Sequence, residues 1–579
     1  MKKIFLIALS LAVLASCEDW LDKTPESALT EDDFYRTEAD LQAFSNKWYK
    51  MLPGTSLYEE AVDNFTLQSL PDELNNARVV PASGGGWTWS YLRDINTLLE
   101  RNACTDPDIK ARYDGLARFF RAWFYFEKVM RFGDVPWYDH QLDSDSDELY
   151  KPRDSREVVM QHVIEDLDYA AAHLGTRRET YRVTRWTALA LKSRVCLFEG
   201  TFRKYHGLSY PEHSWQWYLE QGADAARTFI ETSGYSLRTA DGKSLSYLTL
   251  FAQIDADATE VILARDYSKA LGVTHNATFY TLGNYGNPGM TRKMVASYLC
   301  TDGSRFTDKA GWETMTFTEE TRNRDPRLAQ TIRTPGYTRL GSSTKVAPSF
   351  SSCVTGYHPV KYVLGSSAGA DAYGLSYNDL IIMRSAEVYL NYAEAKAELG
   401  TLTQADIDMS VKKLRDRVGM PNLNLQAANA NPDPFLMAPE TGYPGVTGDN
   451  KGVILEIRRE RTIELAKEGF RYWDMMRWKE GQAFTHVFKG MYFPGTGDYD
   501  LDGNGTADVT IYSGDKPSTG AAIKLKLGED IVLEHNTYGC VLPLKGKVGS
   551  WREDRDYYYP IPSNDIALCN GKLKQNPNW

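Results

Sequence analysis

The sequence predicts a mainly α-helical protein, a scaffold of paired helices with long loop-rich insertions and a few short strands. Three observations carry this. Apolar residues recur at i, i+3, i+4 and i+7 in long stretches towards both ends of the chain. Alanines 188, 190, 225 and 226 fall where helices must approach closely. Between these regions, from Ser236 to Asp379, the helical period fades and Gly, Asn, Thr and Tyr dominate, as in THNATFYTLGNYGNPGM.

The first 16 residues have a secretory layout. Lys2 and Lys3 precede the apolar run IFLIALSLAVLA, which is too short to span a bilayer as a helix. The run ends in Leu14-Ala15-Ser16-Cys17. Thr30, followed by three acidic residues, opens a helix that it can cap. Pro81 to Gly86 is a loop, and Trp87 and Trp89 stand where it meets a helix starting near Ser90. Two indoles there either face solvent or plug the core.

Leu116 to Trp137 carries Phe119, Ala122, Trp123, Phe126, Val129 and Met130 on one stripe and ends at Gly133 and Pro136. Further amphipathic helices are expected at Arg156–Leu174, at Val183–Tyr205 (Thr184 as cap, a break near Gly200) and at Trp215–Ile230. Helix pairs of this length resemble tetratricopeptide hairpins, although no clean repeat of about 34 residues is visible. In the loop-rich stretch, Tyr280, Tyr285, Trp312 and Tyr337 are candidate contact residues, because loops on a rigid scaffold tend to carry function.

Leu380 to Gly400 reads as helix, with Gly400 as C-cap, and Gln404–Val418 as its partner. Met420 to Asp449 is a long Pro/Asn/Gly loop. The stretch from Val453 to Trp478, helical up to Gly469, has two apolar stripes, so neighbours sandwich it. Arg459 falls on one stripe and Arg461 on the other, with Glu456, Glu460 and Glu464 three or four residues away. Arginines facing a packed interior need partners, and the expectation is an ion-pair ladder in a structural helix.

Next comes the DxDxDG run Asp498, Asp500, Asp502, Gly503, Asn504, Asp508. Alternating oxygen ligands on a tight turn suit Ca²⁺, but Val509 stands where the bidentate Glu belongs, and Asp508 is its candidate substitute. The same run without an ion is an acidic hairpin tip. The tail, DYYYPIPSNDIALCNGKLKQNPNW, reads as non-helical.

Composition narrows the function. A net charge of -11 argues against nucleic acid, which needs a basic footprint. The 14 Trp, 35 Tyr and 22 Phe make 12% of the chain, and rings with one wet edge suit stacking on a flat partner. The seven cysteines form no CxxC pair, which leaves a zinc site little support. There is no HExxH, GxSxG or Walker loop.

ERTIELAKEGFRYWDMMRW resembles the signature helix of the SusD/RagB family, surface glycan-binding lipoproteins of Bacteroidetes-type bacteria. ARFFRAWFYFEKVMRFGDVPW, ALALKSRVCLFEGTFRKYHG, NRDPRL, RSAEVYLNYAEAKAELG and the tail agree with it in family order. LASC resembles a lipobox. By that resemblance residues 1–16 are a signal peptide, Cys17 carries the lipid, and Glu18-Asp19 look like a surface-export tag. Residues 17–579 then form one SusD-like domain, with an N-terminal part to 235 and a C-terminal part from 236.

The resemblance implies a scaffold of tetratricopeptide-like hairpins and a cell-surface, non-catalytic glycan-binding role. It further implies a lipid anchor in the outer membrane and a SusC-like TonB-dependent transporter as partner. Its motifs do not carry the sugar site. Trp87, Trp89, Tyr285 and Trp312 are candidates for covering the apolar faces of sugar rings, and Asp72, Asn76 and Arg78 for taking hydroxyls. Two other readings stay open: a surface glycoside hydrolase, and a helical-repeat adaptor that binds protein or peptide.

Overall fold

A computed structural model describes residues 34–579. Cys17, the leader and the helix start expected at Thr30 lie outside the described residues. The first described helix, α1 (Glu38–Ser45), is capped by Thr37, whose hydroxyl accepts the Asp40 N–H while the Asp40 carboxylate accepts the Thr37 N–H.

Helices α2 (Ser90–Arg101), α3 (Pro107–Phe132), α4 (Arg156–His173), α5 (Arg185–His206) and α6 (Trp215–Thr232) then pack each on the next. Their starts have local causes. Asp106 caps α3 ahead of Pro107, and Ser155 and Ser214 cap α4 and α6. At α5 the Thr184 N–H donates to the Thr187 hydroxyl. Gly200 does not break α5. A Cβ there would lie 2.7 Å from the Leu219 side chain of α6, and one at Gly222 would lie 2.9 Å from Cys196 Cβ. Both glycines therefore mark a close helix crossing.

Leu380–Arg384, expected as helix, is instead a strand antiparallel to Val261–Arg265, and helix α7 (Ser385–Glu398) follows it. The LIIMR run is buried at every position, so its periodicity cannot separate strand from helix. Gly400 (φ 75°) follows the end of α7. The Gln404–Val418 helix is split at Ser410, leaving α8 (Val411–Val418). The 420–449 segment is less open than expected, since Leu423, Phe435, Leu436 and Tyr443 are buried. Helix α9 (Lys451–Glu464) stops short of Gly469. Lys467 and Gly469, at φ 58° and 79°, turn the chain into α10 (Arg471–Arg477). The tail contains a short helix, Ser563–Leu568, contrary to expectation. Among the described residues no helix is long and apolar enough to cross a membrane, and the six cysteines are free, buried thiols.

Helix α9 is sandwiched as expected, but its charges do not form a ladder within one helix. Glu464 meets Arg417 at 2.5 Å, Arg384 at 2.7 Å and Arg327 at 3.0 Å. Glu460 meets Arg327 at 2.6 Å and Arg415 at 2.8 Å. Arg461 reaches Asp474 of α10 at 2.8 Å, and Arg477 of α10 reaches Glu394 of α7 at 2.8 Å. Of the expected internal pairs, Arg459 with Glu456 at 3.1 Å is present. The network ties α7, α8, α9 and α10 to Arg327 of the short helix Pro326–Ala329.

A pH dependence follows. Burial alone would raise the Glu394 carboxyl, but Arg477 beside it overrides burial and holds it down at about 2, against an ordinary 4.5. Glu464 is likewise held well below its usual range against burial by Arg417, Arg384 and Arg327. A depressed carboxylate contributes stability that is complete above its unfolded pKa and lost as pH falls through the folded one. For Glu394 the window runs from 4.5 down to about 2, on the order of 3 kcal/mol. Chemical denaturation at stepped pH should show stability falling steeply below pH 4.5, and a flat profile to pH 3 would contradict it.

Candidate functional site

The sequence candidates do not form one site. Trp87 is 6% exposed, its ring edge-on to Phe132 at 4.9 Å and to Trp89 at 5.2 Å. Trp89 is half-buried among Phe124, Tyr125 and Tyr138, with the Lys128 ammonium 5.7 Å above it. Both line an open cavity of about 370 Å³ that Tyr138, Tyr150 and Leu568 also line. Trp87 is thus packed in the core, while Trp89 is only half-buried and faces the cavity.

Arg78 serves the tail. It donates to the Asp556 carbonyl at 2.8 Å, pairs with the Asp556 carboxylate at 3.1 Å and lies 4.6 Å from the Tyr559 ring centroid. Asn76 accepts from Arg555, while Asp72 and Asn76 are both exposed. Tyr280 is buried at 2% and Tyr337 is half-buried. Trp312 is half-buried and opens on a different cavity.

Tyr285 is different. It is 67% exposed, and its ring centroid lies 6.4 Å from that of Tyr280. Asn287 and Gly286, both left-handed, turn the chain just after it. The Gln68 N–H donates to the Gly286 carbonyl at 3.1 Å, which sets Gln68 alongside, while Asn76 lies against Arg555 of the tail. On the other side, Asn284 donates to the Asp371 carbonyl at 3.5 Å. That bond brings in Tyr373, 75% exposed, whose ring stands edge-on to Phe279 at 5.8 Å. Arg339 holds Asp371 with two bonds, 2.6 and 2.8 Å, and this pairing keeps the Asp371 carboxyl below its ordinary range. The result is two open rings among amides and one fixed ion pair. Sequence reading missed Tyr373. Its signal was an aromatic at the tip of a Gly/Ser-rich loop, GSSAGADAYG.

The acidic run sits between strands Gly497–Tyr499 and Val509–Tyr512. Asp500, Asp502 and Asp508 each offer an oxygen within 4.8 Å of the others. Burial raises Asp508 above its usual range, and the charges of Asp502 and Asp500 add to this. Asp498 lies outside the cluster, accepting from the Thr510 hydroxyl, and the Asn504 side chain bonds Asp502 and the Thr506 N–H. The expected ligand set thus contracts to three carboxylates, which have the oxygen chemistry for Ca²⁺.

Comparison with known proteins agrees with the fold. Residues 250–579 match the profile of the SusD family, and residues 19–197 match one described as starch-binding associating with outer membrane. A SusD-like protein of Formosa agariphila is 25% identical over 517 residues, covering 82% of this chain and 90% of its own. A SusD-like protein of Bacteroides fragilis superposes with a TM-score of 0.68 at 23% identity, over 96% of this chain and 100% of its own. A structure solved with a xylogluco-oligosaccharide superposes with a TM-score of 0.53 at 18% identity, over 76% of this chain and 82% of its own. With the family profile spanning more than half of its length on a helical frame of the same kind, the chain belongs to the SusD family.

Proposed function

We propose that this protein is a non-catalytic saccharide-binding lipoprotein of the outer membrane, anchored through Cys17, that captures glycan and hands it to a SusC-like TonB-dependent transporter. The observation that carries the binding site is the open Tyr285 ring, 67% exposed, whose segment the Asn284–Asp371 bond joins to that of Tyr373. A sugar ring has an apolar C–H face and a hydroxyl rim. An uncovered aromatic face takes the first, while Asn284 and Gln68 stand near for the second. Family membership and the oligosaccharide-bound structural relative support the ligand class. Binding in the micromolar to millimolar range, about 4–8 kcal/mol, suits a ligand that must be passed on.

Hydrolysis fits the platform poorly. A glycosidase needs two carboxyls roughly 5–10 Å apart, one of them kept protonated. Asp371 is instead ion-paired and held ionised. Isothermal titration against a polysaccharide panel tests capture, and sustained release of reducing sugar by pure protein would favour the hydrolase. Silence on every glycan with retained co-purification of a barrel protein would favour the protein-binding adaptor.

The three-carboxylate loop is proposed to take Ca²⁺, whose charge would offset the burial, and the lesser repulsion from Asp502 and Asp500, that raise Asp508. Saturating Ca²⁺ should raise Tm by about 2–4 °C, with chelator reversing it and Asp502→Asn abolishing it. An identical Tm with and without Ca²⁺ would remove the ion from the account.

A further inference from the structure

A cavity of about 760 Å³, within the range of small-ligand sites, lies where the segment after Gly303 meets the Tyr492–Cys540 strand pair. Its aromatic surfaces come from four segments, none of which carries Tyr285 or Tyr373. Trp312 forms one wall, backed edge-on by Phe306 at 6.0 Å and Phe435 at 5.8 Å. Tyr492, in register with Cys540, forms a second. Tyr538, 46% exposed and 4.8 Å from the His535 ring, stands at the mouth.

The polar groups are distinctive. Arg292 donates to the carbonyls of Trp312 and Glu313 at 3.1 and 3.2 Å, so it fixes the Trp312 turn and is not free for a ligand. Lys489 is paired with Glu534 at 2.7 Å, and Lys293 with Asp63 at 2.7 Å. The cations at this cavity are therefore all engaged, while Glu313 and Glu440 on its lining have no ion-pair partner among the described residues. An anionic ligand would want unpaired cations, as bidentate carboxylate and phosphate sites have. Aromatic walls with no free cation among the described lining residues and with open carboxylate acceptors match a neutral, hydroxyl-rich ligand.

We propose that this cavity is a second saccharide site, one that takes a short neutral oligosaccharide independently of the Tyr285–Tyr373 platform. This rests on the saccharide-binding reading above. Two separate sites on one chain would let a single polymer engage twice and stay near the surface between engagements.

The test is calorimetric titration of the whole mature chain with neutral hexasaccharides cut from starch, xyloglucan, xylan and mannan. Wild type should saturate at two equivalents of a recognised sugar. Tyr285→Ala with Tyr373→Ala should leave one, and Trp312→Phe with Tyr538→Ala should leave the other or weaken its site roughly tenfold. Tyr538 is exposed, so Tyr538→Ala alone covers the case in which the Trp312 change disturbs folding. Hydrogen exchange should slow in residues 486–492 and 534–540 on binding, also in the Tyr285→Ala, Tyr373→Ala background. A single equivalent in wild type, abolished by the platform substitutions, overturns the second site and leaves the platform standing. A single equivalent abolished only by the cavity substitutions supports the cavity and fails the platform. Silence towards every probe overturns both.

Discussion

Replacing Glu464 by alanine is expected to lower the unfolding free energy by about 3–5 kcal/mol, because it leaves buried arginines without their shared partner. Glu464 is fully buried, and Arg417, Arg384 and Arg327 converge on it. None can recover its hydration, since Arg384 and Arg327 are each 1% exposed and Arg417 is 3% exposed. Glu464→Gln should fall between, keeping hydrogen-bond acceptance but losing charge. The contrast is Arg227→Ala on the exposed pair Arg227–Glu231, whose side chains are 59% and 49% exposed. There only a slight loss is expected, since solvent screens the attraction. Guanidinium denaturation of the three variants measures this. A Glu464→Ala protein no less stable than Arg227→Ala would mean that the network is not what holds α9 in place.

The second large effect concerns ligand. Tyr285→Ala combined with Tyr373→Ala should weaken saccharide binding by at least about 2 kcal/mol, roughly thirtyfold, because exposed aromatic anchors concentrate binding energy. The folded state should hardly notice, since most of both side chains is already in water. Trp87→Ala should behave in the opposite way. Removing a buried indole costs about 3–5 kcal/mol of stability and leaves affinity in the surviving folded protein unchanged. Titration and thermal melts on the same preparations separate the two. If Trp87→Ala lost affinity at full stability while the tyrosine pair kept it, the sites would have to be exchanged.

The reasons for success and failure along the sequence are particular. Helix α5 was expected over Val183–Tyr205 and runs over Arg185–His206, because the Thr184 cap and a long amphipathic stretch are local signals. Gly200 misled because breaking propensity is local, whereas the need to seat Leu219 is not. Tyr285 was legible as an aromatic in a loop, but so were Trp312 and Tyr280. Only accessibility separates a 67% exposed ring from a 2% exposed one.

The sequence by itself determined the helical frame, the family and the need for charge pairing around Arg459 and Arg461, since periodicity, caps and motif order are written in neighbouring residues. The partners of those charges were decided by the tertiary structure. Glu464 finds Arg327, Arg384 and Arg417 from distant segments, and it does so because burial forces each charge to the nearest opposite one in space, not in sequence.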